Sequence, residues 1–151
     1  MIRLTQIVVI IASTVLLLSG YAKVIDTPAF AESLSRHGLI PSAWVAVLGD
    51  LFPLAEVSTG TIALWWTMVP HRLHRAGMCL GAMYGVLGAY AAAMWWHPSA
   101  SPAPCGCGFT RVPVENWLIP AGQSLGVALV TFGLTLRVGA LEAVTDGADR
   151  S

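Results

Sequence analysis

Two cysteines separated by one glycine, Cys105 and Cys107, are the residues of this chain best suited to chemistry. They lie in the stretch SPAPCGCGFTRVP, where prolines stand on both sides of the pair. A disulfide across a single glycine closes a very small ring, so it adds little stability to a fold. Strained disulfides are also more labile than structural ones. The spacing therefore favours electron exchange with another thiol pair, although separate thiols or a structural bridge fit it too.

A metal site is a third interpretation of the same stretch. His97 precedes the cysteines and would give a soft ligand set that suits copper or zinc. No fourth ligand is evident, and His97 directly follows two tryptophans, a position typical of an interfacial residue. We therefore assign no metal ligand and keep metal handling through His97, Cys105 and Cys107 as a lesser alternative.

Two acidic residues, Asp50 and Glu56, fall inside an apolar segment. Counted along a helix from Trp44, Glu56 lies about 18 Å deep. A carboxyl group at that depth costs a few kcal/mol unless it is protonated or paired. Lys23 is a candidate partner for either acid, and Asp50 is closer to it in expected depth. These three residues are candidates for proton handling, and an ion pair that only specifies packing is the competing interpretation.

The composition places these residues in a membrane protein. Of the 151 residues, 56% are hydrophobic and only 11% are charged, whereas a soluble domain typically carries about 25% charged residues. The formal net charge is zero and no basic run occurs, which argues against nucleic-acid binding. Membrane lipid is the first partner that the sequence implies.

Four apolar segments are long enough to cross a bilayer, which takes roughly 20 residues of helix. They span about residues 4–22, 44–69, 76–96 and 117–138. Because a backbone in lipid must satisfy its own hydrogen bonds, the expected fold class is all-α, a four-transmembrane-helix bundle forming a single membrane domain over residues 1–151. The first segment is longer than the apolar core of a signal peptide, so we expect it to remain as a helix.

A short interfacial helix is predicted between the first two crossings, over about residues 28–37. Thr27 suits the N-cap and Gly38 the residue after the helix. Phe30 and Leu34 fall on one side of it. A helix on the outer membrane surface, beside the cysteine loop, fits this pattern, and an ordinary capped connector fits it equally.

Small residues at helical spacing predict which crossings pack together. They are Gly81, Gly85, Gly88 and Ala92 on the third crossing, and Gly122 and Gly126 on the fourth. Such faces allow close approach in membranes, so these two crossings should hold the cysteine loop, residues 97–116, over the outer end of the bundle. Cys79 lies about 25 Å from that end, too far for a disulfide with the pair. We expect it to be a small buried residue.

The distribution of basic residues predicts the topology. The face with both termini carries Arg3, Arg72, Arg75, Arg137 and Arg150, and the other face carries Lys23, Arg36 and Arg111. The face richer in basic residues is normally cytoplasmic. We therefore expect an inner (cytoplasmic) membrane protein with cytoplasmic N- and C-termini. The cysteine loop is then extracytoplasmic, where disulfides persist.

Three stretches of the chain resemble the MauE family of methylamine-utilisation proteins, within the wider DoxX-like group of four-helix membrane proteins. They are GYAKVIDTPAFAESLSRHGLIP, FPLAEVSTG and the CGC loop. The resemblance covers most of residues 15–130. It implies a redox-associated membrane protein that takes part in maturing the disulfide-rich small subunit of methylamine dehydrogenase, alongside a thioredoxin-like partner.

The resemblance also implies roles for individual residues. Cys105 and Cys107 match the family's redox pair, and Lys23 and Glu56 match motif positions. The family often has CGCFG, whereas here glycine precedes phenylalanine after the second cysteine. This reversal bears on the geometry of the loop and on the identity of the partner.

The function that we expect is thiol-disulfide exchange with an extracytoplasmic thioredoxin-like protein or a client acquiring disulfides. The protein would then be a component of a thiol-disulfide oxidoreductase system. No haem, flavin or nucleotide motif is visible, and quinone is the one cofactor that the residues leave open. A non-catalytic membrane scaffold or accessory subunit with a structural CGC loop is the competing interpretation.

Overall fold

The computed structural model describes residues 2–69, 72–97 and 118–148, and these form five α-helices without a strand. In chain order they are α1 (Ile2–Ile25), α2 (Thr27–His37), α3 (Ser42–Thr67), α4 (Leu73–Trp96) and α5 (Leu118–Ala148). The four long helices are apolar enough to cross a membrane, α5 over Leu118–Ala140. The predicted all-α fold, with a short helix between the first two crossings, is confirmed.

The helices pack as two close pairs, α1 with α3 and α4 with α5, and α3 joins the pairs by packing on α4. In the first pair, a Cβ added to Gly60 would lie 3.0 Å from the carbonyl oxygen of Ser13. In the second, a Cβ on Gly77 would lie 2.9 Å from the Cβ of Thr135. Glycine therefore sets the close approach in both pairs.

The predicted packing of the last two crossings is confirmed, but only part of the predicted glycine face produces it. Gly81 and Gly88 lie against Phe132 and Leu125 of α5. Open space surrounds the Cβ positions of Gly85, Gly122 and Gly126. The close approach therefore comes from glycines of α4, which leave room for larger side chains of α5, and not from the glycines of α5.

Cys79 corrects our expectation of a buried residue, because its side chain is exposed on the surface of α4. Residues two positions apart in an α-helix lie about 200° apart around its axis. Gly77 and Gly81 face α5, so Cys79, midway between them in sequence, faces away from the bundle.

The caps of α2 are well defined. Asp26, rather than the predicted Thr27, is the N-cap, and its side chain accepts a hydrogen bond of 3.4 Å from the backbone N–H of Ala29. Gly38 ends the helix with a φ of 69°, a left-handed conformation that glycine adopts without strain. The helix packs on α3, where a Cβ on Gly49 would lie 3.1 Å from the Cβ of Ala31.

Candidate functional site

A buried ion pair joins α1 to α3. The ammonium group of Lys23 donates a hydrogen bond to Oε1 of Glu56. The two residues are 6% and 0% exposed, whereas the other ion pair of the described residues, Arg36 with Glu32, lies on the surface of α2. Two charges are removed from solvent together here, which is tolerable only because they are paired.

The carboxyl group of Glu56 is incompletely satisfied. The hydroxyl of Ser19 interacts with it in addition to Lys23. Its second oxygen, Oε2, is buried and has no hydrogen-bond partner within the described part of the chain. An acceptor oxygen without a partner is costly in a buried position. This oxygen is therefore an unsatisfied acceptor within the described part of the chain.

Gly20 allows the pair to form. A Cβ at this position would lie 2.8 Å from the Cβ of Glu56 and 3.0 Å from the carbonyl oxygen of Pro53. Any larger residue would push α1 away from α3 at the level of the ion pair. Gly20, three residues before Lys23, thus belongs to the site although it has no side chain that could react.

Asp50 does not join the pair, although we expected it to be closer to Lys23 in depth. Its side chain is exposed, and it lies about 120° around α3 from Glu56. The depth estimate failed because it assumed that α1 ends level with the start of α3. Glu56 lies roughly 21 Å along α3 from Ser42. The 11-residue helix α2 packs beside this first part of α3, so the end of α1 meets α3 further along, at Glu56.

A pocket lies beside the ion pair, with walls from α1, α2, α3, α4 and the turn after α2. Its lining consists of Lys23, Phe30, Leu34, His37, Ile40, Phe52, Leu87 and Tyr90. Its cavity volume, counted as the space open to the centre of a water molecule, is about 30 Å³. This volume has room for about two water molecules.

A histidine–tyrosine pair is among the residues that line the pocket. Nδ1 of His37 and Oη of Tyr90 are 2.6 Å apart, a hydrogen bond between α2 and α4. His37 is only 4% exposed. We did not predict either residue, yet the spacing contained a signal: Phe30, Leu34 and His37 recur at intervals of four and three, which places the histidine on the inner face of α2.

Lys23 also contributes to this wall. Its ammonium group lies 5.3 Å from the centre of the Phe30 ring, within the range of a cation–π contact. The same ammonium group therefore lies between Glu56 and the ring of Phe30, which lines the pocket. The ion pair and the pocket form a single site.

Cys105 and Cys107 lie outside the described residues, as does all of the predicted cysteine loop except His97. The helices on both sides of this segment are described. Leu39, in the turn after α2, packs with Ala91 and Met94 near the end of α4 and with Ala121 near the start of α5. The segment with the cysteines therefore starts and ends at the same end of the bundle as His37.

The metal interpretation rests on two cysteines that the structure does not describe. Within residues 2–69, 72–97 and 118–148, no three His, Cys, Asp or Glu side chains come together in a way that could hold a metal ion. His97 ends α4, and its backbone N–H donates to the carbonyl of Ala93. The described part of the chain thus does not bring two further ligands together with His97.

A family of known proteins is similar to this chain over most of its length. The family model described as "Methylamine utilisation protein MauE" matches residues 1–141. No curated protein matches the chain. No solved structure matches it either. Because the family match covers nearly the whole chain and agrees with the four membrane helices, the protein belongs to the MauE family.

Proposed function

We propose that the protein exchanges thiols and disulfides with a protein partner outside the cytoplasm, through Cys105 and Cys107. The observation that carries the proposal is the CGC sequence in a membrane protein of the MauE family. Both helices that adjoin the cysteine segment reach the end of the bundle where the buried site lies, which supports it. The partner is a thioredoxin-like protein or a client that acquires disulfides.

The exchange is balanced in electrons and protons. A thiolate of the partner attacks one sulfur of the Cys105–Cys107 disulfide and releases the other as a thiolate. The second partner thiolate then attacks the mixed disulfide, which forms the partner's disulfide and leaves both cysteines reduced. Two electrons pass to this protein, and its thiolates take up the protons. The reverse sequence of steps reduces a partner disulfide.

The buried pair of Lys23 and Glu56 has a role in proton handling under this proposal. Oε2 of Glu56 has no hydrogen-bond partner among the residues described, so the carboxyl group can accept a proton without breaking the contact of Oε1 with Lys23. Asp50 is not part of this proposal, since its side chain points away from the pair.

The ion pair also strengthens the expected topology. Lys23 is neutralised by Glu56 and buried, so it no longer counts among the charges of the outer loops. Arg36 and Arg111 then remain on that face, against five arginines on the other. This bias supports cytoplasmic termini and an extracytoplasmic cysteine segment in the inner membrane.

Trapping of mixed disulfides tests the proposed exchange. In Cys105→Ser or Cys107→Ser, the remaining cysteine cannot resolve a mixed disulfide. We expect at least one of these variants to form a covalent adduct with an extracytoplasmic protein in intact cells, and to release it on reduction. Cys79→Ser is the matched control, because the side chain of this cysteine is also exposed, on α4.

A non-catalytic scaffold predicts a different result. In that case neither variant forms an adduct, and the double variant Cys105→Ser/Cys107→Ser leaves the disulfides of the periplasmic proteins unchanged. Such a result would remove the redox role. Metal handling predicts in addition that copper or zinc copurifies with the wild type and is lost from Cys105→Ser.

A further inference from the structure

Two arginines and a tryptophan lie together where α3 ends and α4 begins. Trp65 is in the last turn of α3, Arg72 is the N-cap of α4, and Arg75 lies in the first turn of α4. The guanidinium carbon of Arg72 is 5.9 Å from the centre of the Trp65 ring, within the range of a cation–π contact. Arg72 and Arg75 are three residues apart, which places them on the same side of the helix. The two cationic side chains and the indole ring therefore share one surface.

The positive charge of this surface is not balanced within the described part of the chain. The ion pairs found there, Lys23–Glu56 and Arg36–Glu32, include neither arginine. The nearest acidic residue along α3 is Glu56, nine residues or roughly 14 Å before Trp65, and it is already paired with Lys23. The first turn of α4 contains no acidic residue. A negatively charged ligand is therefore the complement of this surface.

Exposed apolar side chains adjoin the two arginines. Trp65 is 59% exposed, and Met68, three residues later on the same side of the chain, is 81% exposed. A tryptophan at the end of a membrane helix prefers the level of the lipid headgroups. A free phosphate ion would leave this apolar surface uncovered. A phospholipid matches both parts, because its phosphate meets the guanidinium groups while an acyl chain covers Met68 and the indole ring.

We propose that Arg72, Arg75 and Trp65 form a binding site for the headgroup of an anionic phospholipid. A guanidinium group presents a planar fork of N–H donors that matches the oxygens of a phosphate, and it keeps these donors while its face rests on an aromatic ring. Basic residues between neighbouring membrane helices hold such headgroups in other proteins. The site is independent of the proposed thiol exchange, because it includes neither the cysteines nor the buried ion pair.

Lipid binding to the full-length protein in detergent tests the proposal. The probe is phosphatidylglycerol, the comparison lipid is zwitterionic phosphatidylcholine, and native mass spectrometry counts the molecules retained. We expect the wild type to retain phosphatidylglycerol in preference to phosphatidylcholine. Arg72→Gln and Arg75→Gln should each weaken the binding of phosphatidylglycerol by about fivefold, and the double variant by about 25-fold. Arg75 is exposed and outside the contact with Trp65, so Arg75→Gln alone carries the test if the double variant is unstable.

A charge-matched variant separates this site from a general attraction of the same end of the bundle for anions. Arg3→Gln/Arg137→Gln also removes two exposed arginines. Thr135 and Gly139 contact α4, so Arg137, midway between them in sequence, faces away from α4. This control should retain phosphatidylglycerol nearly as the wild type does.

Three results would overturn the proposal. The first is an equal loss of phosphatidylglycerol in the control and in Arg72→Gln/Arg75→Gln, because the lipid would then respond only to net charge. The second is equal retention of phosphatidylglycerol and phosphatidylcholine by the wild type. The third is displacement of the lipid by excess inorganic phosphate, which would mean that the arginines bind a free anion and the apolar surface contributes nothing.

Discussion

The cost of burying a charge decides what Lys23 and Glu56 do for this protein. An ionised group alone in a low-dielectric interior is strongly disfavoured, and a paired one is tolerated. Replacing a buried pair by apolar residues is often neutral or stabilising, so stability alone is a weak reason to keep one. The unsatisfied oxygen of Glu56 supports the proposed role of the pair in proton transfer.

Replacing one member of the pair should destabilise the protein more than replacing both. Glu56→Gln leaves the ammonium group of Lys23 buried without a counter-charge, and we expect a loss of about 3–5 kcal/mol in the free energy of unfolding. In Lys23→Met/Glu56→Met both charges are absent, and stability should return to within about 1 kcal/mol of the wild type. Thermal denaturation in detergent measures both variants.

The double variant separates structure from function. If the ion pair only holds α1 against α3, the stable double variant will support disulfide formation in the partner as the wild type does. If it handles protons, the double variant will fold and yet fail in that assay. Glu32→Gln is the control for a lost carboxylate, because the Glu32–Arg36 pair lies on the surface, where an ion pair contributes little.

The hydrogen bond between His37 and Tyr90 should have a measurable coupling energy. Tyr90→Phe removes the phenol oxygen that lies 2.6 Å from Nδ1 of His37. We expect a loss of about 1 kcal/mol in unfolding free energy, with a similar coupling in a double-mutant cycle with His37→Phe. Tyr21→Phe is the matched control, since Tyr21 is an exposed tyrosine on α1. A coupling near zero would mean that the contact does not tie α2 to α4.

At the scale of the helices, the apolar pattern predicted that four membrane helices exist, but not how far each is displaced along its neighbours. Runs of about 20 apolar residues have few alternatives to a membrane helix. How far one helix is displaced along another depends on connections and side-chain packing, which hydropathy does not contain. Lys23 therefore meets Glu56 rather than Asp50, because α2 packs beside the first part of α3. The caps of α2 were predictable to within one residue, since Asp26 and Thr27 are both good N-caps.

The glycines of α4 give a test of helix packing with an internal control. Gly77→Ala places a methyl group 2.9 Å from the Cβ of Thr135, whereas the Cβ position of Gly85 has no atom within 4 Å. Alanine is favoured over glycine in a helix by about 1 kcal/mol. Gly85→Ala should therefore leave the melting temperature unchanged or raise it, and Gly77→Ala should lower it.

The packing account fails if the two alanine variants melt alike. Thermal unfolding in the same detergent compares them directly with the wild type. Gly20→Ala extends the test to the ion pair. Its methyl group would approach the Cβ of Glu56 at 2.8 Å, so this variant should lose stability by separating α1 from α3.

At the scale of the whole molecule, the residues suited to chemistry lie towards one end of the bundle. The ion pair, the pocket and the two helix ends that adjoin the cysteine segment all lie towards this end. Composition alone placed the chain in a membrane. The assembly of His37, Tyr90 and Lys23 around one pocket depends on contacts between three helices, and no local pattern in the sequence specifies them.

Labelling of single cysteines in intact cells tests which side of the membrane this end faces. In Cys79→Ala, a membrane-impermeant maleimide should label Cys105 and Cys107 after mild reduction, because we place their segment outside. A chain without its native cysteines but with Arg75→Cys should react only after permeabilisation, since the exposed Arg75 lies at the start of α4, at the opposite end of the bundle. If Arg75→Cys is labelled in intact cells and the native pair is not, the orientation is reversed. The cysteines would then face the reducing cytoplasm, where a disulfide donor for secreted clients cannot work.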